Sequence, residues 1–231
     1  MISTLAVIAV LVVVNLLTNR WAKRHYLPIC LVATAVLLAM ARIDAVSWAQ
    51  LGLARDTWRD GLLWSLVVVG AVLVFYGIAA ALPWTRKGFA DKRAAEGGWL
   101  IMLYHSLIRI PFGTALLEET AFRAVLLAVA VGVWGWWSGV IVSSLVFGFW
   151  HVLPSLDFHH SHEVATALGN GRLAKTRSVV ATVIGTAAAG VGFCALRGVS
   201  DSLLPALALH AALNSIGFVV SWGMARRLRE L

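Results

Sequence analysis

The sequence predicts an all-α protein: a polytopic transmembrane bundle of about seven to eight helices with an intramembrane polar cavity. Three observations lead to this prediction. Of the 231 residues, 60% are hydrophobic and 13% are charged, with a mean hydropathy of +0.84, whereas a soluble domain carries nearer a quarter charged residues. The apolar residues form runs long enough to cross a ~30 Å hydrocarbon layer. Glutamate, arginine or histidine side chains interrupt three of these runs.

Seven apolar stretches account for the predicted crossings, at residues 2–17, 26–41, 61–82, 99–132, 136–154, 178–196 and 202–223. The fourth is too long for one crossing, because its helix would extend about 51 Å at ~1.5 Å per residue. Proline disrupts a helix at or before its own position. Pro111 therefore predicts a break between an interfacial or kinked lead-in at 99–110 and a crossing at 112–132. An additional crossing by the lead-in is the alternative.

The basic residues predict how the bundle is oriented. With the N-terminus outside, the cytoplasmic loops and tail hold 13 lysines and arginines and the outer loops hold 4, which follows the positive-inside rule. This placement accounts for the net charge of +8 without a nucleic-acid partner. We therefore expect an integral, multi-pass protein, in a bacterial plasma membrane, with its C-terminus in the cytoplasm. Its parts would be N-terminal helices at 1–97, a core at 98–223 and a basic cytoplasmic tail at 224–231.

Smaller features of the sequence predict packing inside this bundle. The run GTAAAGVG at 185–192 consists mainly of small residues, which let helices approach closely in membranes. Cys30 and Cys194 both fall within apolar stretches, so we expect small core residues rather than a disulfide.

The fourth stretch contains Glu118, Glu119 and Arg123, and ionisable groups within a membrane are usually paired or functional. Glu119 and Arg123 are four residues apart, so they can form an intrahelical ion pair. Glu118 is rotated by ~100° from Glu119 about the helix axis, so it is poorly placed to pair with Arg123 as well. It is therefore free to face another helix, where a carboxylate beside imidazoles is suited to acid–base chemistry.

Two other stretches carry histidines to a similar predicted depth. His151 ends the fifth stretch, one turn after Phe147. His210 and Asn214 are four residues apart in the seventh stretch, so they lie on one helix face. We expect Glu118, His151, His210 and Asn214 to meet in the cytoplasmic half of the membrane.

The same residues form three motifs that resemble a known family. "EETAFR" fits the pattern EExxxR, "FGFWH" fits FxxxH and "HAALN" fits HxxxN. Their order is that of the CAAX protease and bacteriocin-processing (CPBP) intramembrane proteases, which include the type II CAAX prenyl endopeptidases. The resemblance covers about residues 98–220, so it makes 98–223 a protease core.

The resemblance implies a glutamate-dependent intramembrane endopeptidase and a role for each motif residue. Glu118 would activate water, and His151 would assist and orient it. His210 and Asn214 would stabilise the developing oxyanion, as preorganised donors do in acyl transfer. Three further residues would support the site through ion pairing or packing: Glu119, Arg123 and Phe147.

The implied reaction is hydrolysis of a peptide bond near the terminus of a membrane-associated protein or peptide. Both CAAX-type processing and processing of a bacteriocin or another peptide fit it, and the lipid bilayer is a second partner. The main alternative is a non-catalytic membrane scaffold or a bacteriocin-immunity protein. A third hypothesis for the function is a transporter that uses Glu118 as a proton relay.

No cofactor is expected, because a glutamate that activates water needs no metal. The resembling family has also been described as metalloproteases, and two histidines with one glutamate can hold zinc as three protein ligands. A divalent metal is therefore the alternative mechanism. A second group of histidines lies at 159–163, where we expect a solvated loop rather than a metal site.

Overall fold

The computed structural model describes residues 4–85, 98–158 and 172–227, and within these ranges it contains helices and no strand. The predicted all-α bundle is therefore confirmed. Seven helices follow one another, and we number them α1 (Thr4–Leu16), α2 (Tyr26–Ile43), α3 (Trp58–Ala81), α4 (99–134), α5 (Trp136–Trp150), α6 (Arg172–Ser200) and α7 (Leu204–Arg227). Short pieces flank them, namely a π-helical turn Leu17–Trp21, 3-10 turns Lys23–His25 and Arg55–Thr57, and a helix Val152–Phe158.

The helix α4 runs without interruption from residue 99 to residue 134, so the predicted break at Pro111 is wrong. Proline is tolerated because this part of the helix is π-helical, and the Leu116 N–H donates to the Pro111 carbonyl five residues back. The wider turn relieves the clash that a proline ring makes with the preceding turn of an α-helix. The pieces of α4 are Trp99–Tyr104 (α), His105–Ala115 (π), Leu116–Glu119 (α), Thr120–Leu126 (π) and Leu127–Trp134 (α).

Six helical stretches in the described ranges are long and apolar enough to cross a membrane. Their outer faces carry large apolar side chains such as Leu66 and Val67, which are 71% and 63% exposed. Water would disfavour such surfaces, but lipid does not. The chain is therefore an integral, multi-pass membrane protein. The six stretches are Thr4–Trp21, Lys23–Ile43, Arg55–Ala81, Trp136–Leu156, Leu173–Ser200 and Leu204–Arg227.

The middle of α4 forms the centre of the bundle. Every residue from 117 to 127 is buried, and its apolar side chains pack in one cluster with those of α1, α2 and α5. The positive φ of Gly135 (79°) turns the chain directly from α4 into α5, so these two helices form a hairpin. This arrangement encloses the charged residues of α4 within the protein.

The helices α5 and α6 approach each other through small residues, as the run at 185–192 predicts. A Cβ added to Gly190 would lie 3.0 Å from the Ser144 Cα, and one added to Gly148 would lie 2.7 Å from the Val183 carbonyl oxygen. Cys30 and Cys194 are both buried free thiols, so their predicted core positions are also confirmed.

One buried arginine forms hydrogen bonds with the loop that connects α2 and α3. Arg197, near the end of α6, is 7% exposed and donates to the carbonyls of Ala49 and Gln50, each at 3.1 Å. Gly52 has a φ of 73°, and its carbonyl accepts from the Leu203 N–H at 2.8 Å. The histidine-rich stretch at 159–163 and the tail beyond residue 227 lie outside the described residues.

Candidate active site

The structure brings Glu118, His151 and His210 together from three helices. Glu118 is on α4, His151 follows the last residue of α5, and His210 is on α7. The Nε2 atom of His151 lies 3.9 Å from the Oε2 atom of Glu118, and the Nε2 atom of His210 lies 3.8 Å from the same oxygen. Both imidazoles therefore face one oxygen of one carboxylate.

The two oxygens of Glu118 have different surroundings. The indole Nε1–H of Trp150 donates to Oε1 at 3.0 Å. Oε2 is buried and has no hydrogen-bond partner within the described residues. One oxygen therefore holds the carboxylate in place, while the other is directed at the two histidines.

Each histidine is oriented through its Nδ1 atom. Nδ1 of His151 lies 2.8 Å from the carbonyl oxygen of Phe147, and because a carbonyl only accepts, this nitrogen carries a proton. Nδ1 of His210 lies 2.6 Å from Oε1 of Glu119, where a carboxylate is likewise the acceptor. These two contacts point both Nε2 atoms towards Glu118.

Glu119 and Arg123 form the predicted ion pair. The Arg123 guanidinium donates to Oε1 of Glu119 at 3.2 Å, and neither side chain is exposed. The cationic group also lies 3.9 Å from the ring centre of Phe147 and 4.7 Å from that of Phe193. Aromatic faces attract cations, so Phe147 packs against both this ion pair and His151.

Three charged side chains, those of Glu118, Glu119 and Arg123, are buried in this group. Among the described residues, Arg123 forms its ion pair with Glu119 and not with Glu118. Burial of a charge is costly unless it is paired or hydrogen-bonded, so Glu118 depends on its contacts with Trp150 and the two histidines.

Asn214 is placed differently from the other predicted site residues. It lies one turn beyond His210 on α7, and its side chain is exposed rather than buried with Glu118. The structure therefore brings three of the four predicted catalytic residues together, and the fourth is exposed one helical turn from His210. The catalytic roles of all four stay predictions.

Two residues that support this group, one directly and one through the other, were not predicted from the sequence. The sequence gives no sign that Trp150 belongs to the site, because it is one of several apolar residues before His151. Only the structure shows that it donates a hydrogen bond to Glu118. Asn15 of α1 donates to the Trp150 carbonyl at 2.8 Å. An amide inside the first apolar run was a signal for such a contact, because polar groups in membranes seek partners.

The donor atoms do not fit a bound metal ion closely. A tetrahedral zinc with bonds of ~2.0–2.1 Å separates its ligand atoms by roughly 3.4 Å, whereas the two histidine nitrogens lie 3.8 and 3.9 Å from Glu118 Oε2. No group of three or more metal-binding side chains within the described residues is arranged to hold an ion.

Comparison with protein families gives a match. Residues 97–216 match the family described as Type II CAAX prenyl endopeptidase Rce1-like, which is just over half of the chain. The match includes every residue of the buried charged group described above. Comparisons with curated proteins and with solved structures give no match.

Proposed function

Since the chain belongs to the Rce1-like family of type II CAAX prenyl endopeptidases, we propose that it is an intramembrane endopeptidase in which Glu118 activates the attacking water. One observation carries this proposal. Oε2 of Glu118 faces the Nε2 atoms of His151 and His210 at 3.9 and 3.8 Å. Both separations are longer than direct hydrogen bonds, which are shorter than ~3.2 Å, so this oxygen is left free to accept a proton from a water beside the two imidazoles.

In the proposed first step, the carboxylate of Glu118 takes a proton from this water. The water oxygen then forms a bond to the scissile carbonyl carbon, and the carbonyl electrons move onto its oxygen. The Trp150 indole keeps the glutamate side chain in position during this transfer. A positioned general base of this kind typically accelerates a reaction by about 10²–10⁴-fold.

The developing oxyanion needs a donor, and His210 is the best placed. Its Nδ1 is fixed by Glu119, so a proton on its Nε2 points into the space beside Glu118. Asn214 lies one turn along the same helix with its side chain exposed, and its amide is the second proposed donor. Preorganised donors of this kind supply much of the rate enhancement in acyl transfer.

The second step breaks the peptide bond. The tetrahedral intermediate collapses, the carbon–nitrogen bond breaks, and the leaving nitrogen receives the proton that Glu118 took from water. His151 lies beside the same carboxylate oxygen, so it is the proposed relay for this proton. Its Phe147 hydrogen bond holds the imidazole in one orientation throughout.

The substrate in this proposal is a membrane-associated protein or peptide cut near one terminus. An apolar groove of about 300 Å³ lies between α3, α4 and α7 and is lined by residues that include Leu116 and Leu207. These two residues are within one helical turn of Glu119 and His210, respectively. We propose that apolar parts of the substrate use this side of the bundle, for either CAAX-type or bacteriocin-type processing.

Cleavage by the purified protein tests the proposal. Wild type and Glu118→Gln would be compared on fluorogenic CAAX-like and leader-like peptides, with and without a strong chelator. Glutamine keeps the size and the acceptor for Trp150 but removes the base. We expect cleavage by wild type, a loss of at least about 10²-fold in the variant, and no effect of the chelator.

Three other outcomes would change this conclusion. Loss of cleavage with the chelator would favour the metal-dependent mechanism. A variant that cleaves as fast as wild type would contradict the role of Glu118. Peptides that bind both proteins and are cut by neither would favour a non-catalytic scaffold or immunity protein.

A further inference from the structure

The end of α5 carries a backbone carbonyl that its own helix cannot satisfy. In a continuing α-helix, the carbonyl of Trp150 would accept from the N–H of the residue four positions later. That residue is Pro154, which has no N–H to donate. Within a membrane-spanning bundle, a carbonyl that proline leaves free needs a donor from a neighbouring element.

The donor for this carbonyl comes from α1. The side-chain amide of Asn15 is buried and donates to the Trp150 carbonyl oxygen at 2.8 Å. The oxygen of the same amide accepts from the side-chain nitrogen of Asn19 at 2.6 Å, and that nitrogen also donates to the Asn15 backbone carbonyl at 3.0 Å. Asn19 therefore holds the Asn15 amide with its N–H groups towards α5.

The carbonyl that Asn15 holds belongs to the peptide group between Trp150 and His151. On one side of this peptide group, the Trp150 indole donates to Oε1 of Glu118 at 3.0 Å. On the other side, Nε2 of His151 lies 3.9 Å from Oε2 of the same carboxylate. A rotation of this one peptide group would therefore displace the neighbours of both oxygens of Glu118.

We propose that Asn15 is a positioning residue for the reaction, which orients Trp150 and His151 beside Glu118 by fixing the peptide group between them. The inference rests on the proposed function and adds a residue of the first helix, outside the stretch 97–216 that matches the family. Asn15 acts through two other residues and not on the substrate. Its removal should therefore change kcat rather than KM.

The experiment replaces Asn15 by leucine, which is similar in size and offers no donor. We expect the kcat on a cleaved peptide to fall by about tenfold or more, because a buried carbonyl without a partner is costly and small misplacements of catalytic groups slow a reaction strongly. The KM should stay that of wild type.

Thr34→Val is the matched control for this change. Thr34 is also a buried polar residue of the first two helices, but its hydroxyl donates at 2.8 Å to the carbonyl of Cys30 in its own helix. Valine keeps the shape and removes the donor. This variant should keep the kcat of wild type, whereas an equal loss in both variants would overturn the inference.

A second substitution separates positioning from simple contact between helices. Pro154→Ala places an N–H at position 154, where an α-helical turn directs it at the Trp150 carbonyl. Added to Asn15→Leu, it should recover most of the lost kcat, although it does not restore the contact between α1 and α5. A double variant as slow as Asn15→Leu would show that Asn15 only holds the two helices together, and would overturn the inference.

NMR of the indole N–H groups tests the inference without turnover. In protein labelled at its tryptophans, Trp150→Phe identifies the Trp150 signal, which a hydrogen bond to a carboxylate moves to lower field. Asn15→Leu should move this signal to higher field, and the double variant with Pro154→Ala should move it back. A signal unchanged in Asn15→Leu would overturn the inference and leave the role of Glu118 in cleavage untouched. A displaced signal in a protein that cleaves nothing would count against the proposed function alone.

Discussion

At the scale of single residues, the neighbouring glutamates have different surroundings. Glu119 is fully buried and bonded to both Arg123 and His210. Glu118 is held through one oxygen by Trp150, and its other oxygen faces two imidazoles. Each carboxylate has one buried oxygen without a hydrogen-bond partner, but only the free oxygen of Glu118 faces two imidazoles. The ion pair of Glu119 with Arg123 is suited to stabilising the fold, whereas the position of Glu118 is suited to accepting a proton.

The hydrogen bond from Trp150 gives a prediction at this scale. Trp150→Phe removes the donor to Glu118 but keeps most of the ring that packs on Phe122. Because hydrogen bonds to charged groups contribute about 1.5–3 kcal/mol, we expect kcat to fall by about tenfold or more. Steady-state kinetics would measure this, with Trp134→Phe as the control because Trp134 is 52% exposed. An unchanged kcat would show that this bond does not position the base.

Many of the residues in the site could be predicted from their spacing along the sequence. The four-residue separation of Glu119 and Arg123 predicts their ion pair, and the ~100° rotation of Glu118 predicts that it faces other helices. Spacing along one helix cannot reveal contacts between distant helices. The bond from Trp150 to Glu118 and the stacking of Arg109 on Tyr26 depend on how the helices pack, so they were found only in the structure.

At the scale of helices, the sequence predicted the order and approximate bounds of the bundle but not the conformation of α4. Apolar runs bounded by basic residues identify crossings, because both signals come from the membrane itself. The rule that proline ends a helix failed at Pro111. The rule assumes α-helical hydrogen bonds, whereas this segment is π-helical and its wider turns relieve the clash.

The contact between α5 and α6 gives a prediction at this scale. In Gly148→Ala, the added Cβ would lie 2.7 Å from the backbone oxygen of Val183, so the helices must move apart. Overpacking of this kind typically costs about 1–3 kcal/mol, which a lower thermal midpoint in detergent would report. His151 follows the same helix, so activity should fall with it.

Gly185→Ala is the control for this change. Gly185 is also a helical glycine, on α6, but its added Cβ would meet no atom within 4 Å. Alanine is a better helix former than glycine by about 1 kcal/mol, so this variant should be as stable as wild type or slightly more stable. Equal losses of stability in both variants would argue against close packing at Gly148.

At the scale of the whole molecule, the first helices complete a site whose motifs they do not carry. Asn15 of α1 bonds to the backbone at Trp150, and Tyr26 of α2 contacts Arg109 and Thr114. These helices showed no motif in the sequence, because packing surfaces do not require fixed residue types. The orientation of the bundle, with the N-terminus outside, stays a prediction from the basic residues.

The most direct test of the central claim compares Glu118→Gln with Glu119→Gln in two measurements, the kcat on a cleaved peptide and the thermal midpoint. We predict that Glu118→Gln loses at least about 10²-fold in kcat and keeps its thermal midpoint. Glu119→Gln should lower the midpoint, because breaking a buried ion pair costs about 3–5 kcal/mol. A Glu118→Gln protein that cleaves like wild type, or one that loses activity only because it unfolds, would contradict the claim that Glu118 activates the water.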